Sequence, residues 1–123
     1  MFAKWSPDRN KIVYSKGSQT WKSTEIFIID TLLTTEVRLT NDSRDDRDPS
    51  WSPTGEFISW SSNVLIYRMN VNGNNKLKLD YGQYPNFSPD GKYIVYSFAN
   101  SDFTKEVLWR IDIDGKNKVQ LTF

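Results

Sequence analysis

Apolar residues along this chain come in short runs separated by polar turns rich in Pro, Gly, Asn and Asp. One set of runs reads "KIVYS", "FISWS" and "YIVYS"; a second reads "EIFIID", "LIYRMN" and "LWRIDI"; a third reads "EVRLT", "KLKLD" and "KVQLT". β-Branched and aromatic residues dominate all of them, which predicts strands, and no stretch carries a helical period. A further set of strands ends at a Trp-Ser or Phe-Ser pair, over Ala3 to Ser6, Pro49 to Ser52 and Pro85 to Ser88. Within the second strands, Ile12, Val13 and Tyr14, and likewise Ile94, Val95 and Tyr96, are apolar at successive positions. A sheet wetted on one side would alternate apolar with polar, so these strands are expected to be covered on both faces.

The runs belong to a repeat. "WSPDRNKIVYS" (Trp5 to Ser15), "WSPTGEFISWS" (Trp51 to Ser61) and "FSPDGKYIVYS" (Phe87 to Ser97) are versions of one phrase. The Ser of each Ser-Pro lies nine positions before the Ser that ends the next strand. The second halves, Asp30 to Thr40, Asn70 to Asp80 and Asp112 to Thr122, each span ten positions. A unit of roughly 40 residues holding four antiparallel strands is the size of one β-propeller blade. In "SPDG" and "SPTG", Pro presets φ at the second turn position and Gly takes the last, where positive φ is needed. "SPDR" puts Arg9 at that Gly position, which predicts strain or a shifted turn. "NG" at Asn72 and "DG" at Asp114 are hairpin signals, replaced by "TLLTTE" in the first unit.

"PSWSPTGEFISWSS", "YPNFSPDGKYIVYS" and "LWRIDIDGKNKVQLT" resemble the blades of TolB-type propellers, over nearly the whole chain. The resemblance implies an all-β chain of three four-stranded antiparallel blades, at approximately 1–44, 45–81 and 82–123. It also implies a periplasmic or extracytoplasmic setting. Such blades occur in transport proteins, peptidase domains, lyases and binding modules.

Propellers close with four to eight blades, and this chain supplies three. Two exposed apolar blade flanks invite association. The expectation is a two-fold pair of chains closing six blades, or closure by further blades of a longer chain.

Composition narrows the chemistry. The 123 residues carry a formal net charge of +1 with acids and bases mixed, so nucleic acid and anionic membrane surfaces are not expected partners. No apolar run approaches the roughly 20 residues of a membrane span, and "MFAKWSPD" has no apolar centre of a signal peptide. There is no Cys, hence no disulfide or thiolate metal site, and no His, hence no Ser-His-Asp triad. Lyases of this blade type use His on a metal, which this sequence does not supply. No Gly-x-Ser-x-Gly elbow, phosphate loop or distinct carboxylate pair appears. Neither catalysis nor a cofactor is expected.

In a four-stranded blade, the turns between first and second and between third and fourth strands share one face. Their lengths are constant here, and all length variation falls on the opposite face. "KGSQTWKST" and "FANSDFTKE" are long, and the middle unit keeps only "SNV"; "NDSRDDRD" is long and "YGQY" short. Variable loops on a rigid scaffold are where binding sits. The candidates are Trp21 and Phe103 as aromatic anchors, and Arg44, Asp45, Asp46, Arg47 and Asp48 in the charged loop, with Asp48 at the channel mouth. The rival role for the two aromatics is folding back over the blade edge. "DSRDDRD" has the carboxylates of a calcium loop, but no Gly follows the EF-hand spacing and two Arg are interleaved, so a solvated loop with local Arg-Asp pairs is expected. Trp5, Trp51 and Phe87 hold equivalent places and are expected to pack between blades, as are Tyr14, Trp60 and Tyr96. The expected function is a non-catalytic module for a protein or peptide on the variable-loop face. A propeller segment of a larger hydrolase or peptidase and a carbohydrate-binding propeller are the alternatives.

Overall fold

The computed structural model describes residues 2–17 and 23–123. The described residues form twelve strands and no helix. Blade 1 holds β1 (Ala3–Trp5), β2 (Lys11–Gly17), β3 (Thr24–Asp30) and β4 (Glu36–Arg38). Blade 2 holds β5 (Asp46–Trp51), β6 (Phe57–Ser62), β7 (Leu65–Asn70) and β8 (Leu77–Tyr81). Blade 3 holds β9 (Gln83–Phe87), β10 (Tyr93–Ala99), β11 (Glu106–Asp112) and β12 (Val119–Gln120). Each blade is an antiparallel meander whose strands pair in chain order. The three sheets make a three-blade arc, a half-propeller.

The turns realise the chemistry of the repeat. Ser6, Ser52 and Ser88 each accept at Oγ from the backbone amide five residues on, at 3.0 Å. Gly55 and Gly91 take φ of 77° and 74°, and Arg9 takes 63° in the same place. Arg9 keeps the turn hydrogen bond to the Ser6 carbonyl at 2.9 Å, so the turn is strained and not shifted. Asp30 caps its turn by accepting the amides of Leu32 and Leu33, both at 2.9 Å.

The core lies between blades. Val13, Ile26, Ile28 and Leu39 of blade 1 pack with Ile58, Trp60 and Met69 of blade 2. Ile66 and Leu79 of blade 2 pack with Ile94, Tyr96 and Ile111 of blade 3. Both faces of blade 2 are therefore covered, and Ile58, Ser59, Trp60, Ser61 and Ser62 of β6 are buried at successive positions. Trp51 packs on the first core and Phe87 on the second, as expected. Trp5 does not: it stands 59% exposed on the outer flank of blade 1, where the chain places no preceding blade.

Several strand boundaries differ from the sequence reading. β11 begins at Glu106, because Glu106 and Val107 pair with Ala99 and Phe98. β5 and β9 begin ahead of Pro49 and Pro85, each with a register shift against its neighbour. Asp48 (φ 54°) and Tyr84 (φ 56°) occupy equivalent left-handed positions in these bulged segments. A bulge admits the extra residue and re-aims its side chain.

Candidate functional site

Two inter-blade junctions open on the variable-loop face, and they are filled differently. Between blades 1 and 2, the connection from β4 to β5 folds inward as a charged plug. Arg44 pairs with Asp42 at 2.8 Å, donates to the Tyr67 hydroxyl at 2.8 Å and lies 5.0 Å over the Tyr67 ring. Arg47 pairs with Asp45 at 3.0 Å. Glu25, at the start of β3, is buried and accepts from the Thr40 hydroxyl at 2.6 Å and the Asp42 amide at 3.1 Å, with Arg38 at 3.1 Å.

The local Arg-Asp pairs match the sequence reading, but the loop is not uniformly solvated. Asp46 is fully buried at the head of β5, and neither of its carboxyl oxygens has a hydrogen-bond partner. Burial pushes its pKa up, against the opposing influence of nearby Ser62, Thr40 and Trp60. Burial also pushes Asp42 up, but the Arg44 guanidinium and amide outweigh it and hold Asp42 below its ordinary value. Glu25, Asp42 and Asp46 can each bring one oxygen within 4.8 Å of the others, a spacing an oxygen-ligated cation accepts. Arg38 and Arg44 already neutralise two of the three, so the arrangement is a charge-compensated plug with one carboxyl left over, whose charged form burial disfavours. Asp48 lies two residues on, half-buried, with its pKa raised first by burial, against Ser61 and Arg47.

Between blades 2 and 3 there is no such plug. The connection from β8 to β9 is the single residue Gly82. A cleft of about 230 Å³ remains, lined by Val64, Gln83, Ser97, Phe98, Ala99 and Glu106. Tyr81 stacks on Phe98 with ring centroids 6.1 Å apart, and Phe103 meets Phe98 edge-on at 6.2 Å. Ser97 Oγ is buried without a hydrogen-bond partner. The turn carrying Phe103 is held by Asn100, whose carbonyl accepts from the Phe103 amide at 3.0 Å and whose side chain accepts from the Thr104 amide at 2.9 Å. Phe103 is thus only partly folded back over the blade edge. One edge leans on Phe98, and most of the ring stays in solvent.

Of the sequence candidates, Arg44, Asp45, Asp46, Arg47 and Asp48 come together at the first junction. Phe103 stands at the second, and Trp21 lies outside the described residues. Tyr81, Gln83, Ser97, Phe98 and Glu106 were not singled out from sequence. Their signal was the shortness of "YGQY", which leaves a junction unfilled.

No protein-family model matches the sequence, and no curated protein sequence matches it. Solved structures do match. A structure assigned as TolB from Agrobacterium tumefaciens superposes with a TM-score of 0.83 at 23% identity, covering 98% of this chain and 49% of that one. TolB from Acinetobacter baumannii gives 0.82 at 23% identity, covering 100% of this chain and 32% of that one. An oligogalacturonate lyase in complex with manganese gives 0.74 at 14% identity, over 94% of this chain and 37% of that one. The chain thus spans half or less of each of these neighbours. At these identities the likeness concerns the fold: with the three meander sheets it shows a run of three β-propeller blades arranged as in these TolB structures.

Proposed function

We propose that the chain is a non-catalytic interaction module that takes a protein or peptide segment on its variable-loop face, in the cleft between blades 2 and 3. The observation that carries this reading is the cleft itself: the Phe98 ring, against which Tyr81 and Phe103 pack, lines it beside the buried, unpartnered Ser97 hydroxyl. Aromatic faces hold apolar side chains at low entropic cost, and a polar atom without a protein partner favours a ligand that supplies one. Gln83 and Glu106 add an amide and a carboxylate at the rim, which suits a peptide backbone or a basic side chain. The Ser97 hydroxyl has no base hydrogen-bonded to it, which supports binding without catalysis.

The test is selection from a displayed library of random peptides against the intact chain. Selected peptides should bind Phe103→Ala and Phe98→Ala at least about tenfold more weakly, equivalent to ~1.4 kcal/mol, with the Phe103 variant keeping its melting temperature. Peptides that ignore both substitutions would overturn the reading. A carbohydrate occupant is the second reading, favoured by the aromatic faces and by the fold likeness to a lyase; binding on a glycan array with no selected peptide would establish it instead.

A further inference from the structure

The interface between blades occurs twice within the chain, and the two outer flanks carry its two halves without neighbours. Leu39 at the end of blade 1 approaches the turn of blade 2, its Cδ2 3.5 Å from where a Cβ on Gly73 would stand. Leu79 meets Gly115 of blade 3 in the same way, also at 3.5 Å. Leu39 and Leu79 are 8% and 9% exposed; Leu121, third in the series, is 42% exposed. Ile26 and Ile66 are fully buried, and their equivalent Leu108 is exposed.

The polar contacts repeat as well. Arg68 lies over the Phe57 ring and donates from Nε across the boundary to the Ile113 carbonyl, at 2.5 Å. Arg110 holds the same place in blade 3, over the Tyr93 ring, but its buried Nε has no partner. On the other flank, Trp51 donates from Nε1 to the Lys4 carbonyl at 3.1 Å. The equivalent Trp5 is exposed and lines an open cleft of about 380 Å³ with Ser6, Pro7 and Arg9. Leu32 and Leu33, in the turn where blades 2 and 3 carry Asn72-Gly73 and Asp114-Gly115, are also exposed.

We propose that these flanks are occupied by a second copy of this chain: blade 3 of each copy packs on blade 1 of the other, closing six blades about a two-fold axis. Any copy carries both halves of the interface, so two copies satisfy both flanks of both chains at once, and a closed point group leaves no edge over. Thr31 follows β3 as Ile113 follows β11, so its carbonyl in the second copy is the acceptor for Arg110 Nε. Leu121 then rests on the Leu32-Leu33 turn of the second copy, an apolar surface that blade 1 alone offers at this position. This inference does not depend on what the variable-loop face binds.

Light scattering on the 123-residue chain across a concentration series tests it. A single particle of twice the 14.4 kDa chain mass is expected. A 14.4 kDa monomer, whose flanks then belong to further blades of a longer polypeptide, overturns the proposal, and so does an open-ended ladder of masses. Leu121→Asp and Arg110→Glu should each shift the particle to the monomer mass with the β circular-dichroism signal retained; dimers that persist in both place the interface elsewhere. Should either variant fail to fold, hydrogen exchange on the unaltered chain decides. Protection that rises with concentration at β1 and β12 is expected, and a rise confined to other strands overturns the proposal.

Discussion

The hydroxyl of Tyr96, on β10 of blade 3, donates to the carboxylate of Asp80, at the end of β8 in blade 2, at 2.5 Å. Asp80 also pairs with Lys118 at 2.6 Å and accepts the Tyr81 amide at 2.8 Å. One carboxylate therefore ties blade 2 to β10 and to the residue just before β12 in blade 3.

Tyr96→Phe should cost about 1–2 kcal/mol at neutral pH, since Asp80 keeps Lys118 and the amide. Burial pushes the Asp80 carboxyl up, but Lys118, Tyr96 and the Tyr81 amide outweigh it and hold the pKa below its ordinary value. A depressed folded-state pKa contributes stability that is present above the unfolded value, roughly pH 4, and lost as pH falls through the folded one. The gap between wild type and Tyr96→Phe should accordingly narrow in acid. Chemical denaturation at several pH values reads this, and a gap that widens in acid would contradict it.

Asp46 carries the opposite sign. Its raised pKa means that the folded state holds the proton longer than the unfolded state, so stability falls as pH rises from the ordinary carboxyl value through the elevated one. Asp46→Asn should flatten that decline and be at least as stable as wild type at pH 7. A loss beyond about 2 kcal/mol at pH 7 would mean that a charged Asp46 is used, as a bound cation would use it; melting curves with and without calcium would show which.

A Cβ on Gly82 would lie 2.5 Å from a Tyr96 ring carbon and 3.0 Å from the Ser97 carbonyl oxygen. Gly82→Ala should therefore destabilise by roughly 1–3 kcal/mol, through overpacking at the blade 2 to blade 3 junction. Gly55 has nothing within 4 Å of its would-be Cβ, and only its φ of 77° resists a side chain. Gly55→Ala should cost about 1–2 kcal/mol, by backbone strain alone. Equal behaviour of cleft-binding peptides toward both variants would contradict the difference in mechanism.

Arg9→Gly relieves a left-handed residue at φ 63° and should stabilise by up to about 1 kcal/mol, net of the entropy Gly adds to the unfolded chain. Thermal melting of the single variant decides, and a lower melting temperature would mean that the Arg9 side chain does more than occupy the turn.

The blade architecture was legible because two rigid spacings recur three times and because residues such as Ile94, Val95 and Tyr96 leave no polar face. Arg9 could be flagged from sequence, since its two counterparts are Gly. Other features were hidden by local irregularity. Asp46 reads as part of a charged loop, yet β5 starts there and the register shift between Arg47 and Ser50 displaces the strict alternation that would have marked it as inward. The cleft was hidden for a different reason: it arises where chain is missing. "YGQY" supplies one residue where the first junction has a plug, and an unfilled junction has no motif. Trp5 looked like its repeats Trp51 and Phe87; only the positions of the blades show that it alone lacks a neighbour.

The central claim is that each blade flank completes the next, so that three blades require three more. A crystal structure of the isolated 123-residue chain tests this most directly. The account predicts a six-bladed ring of two copies, with Arg110 Nε on the Thr31 carbonyl of the other copy and Trp5 enclosed. A lone three-blade arc with Trp5 and Leu121 in solvent would contradict it.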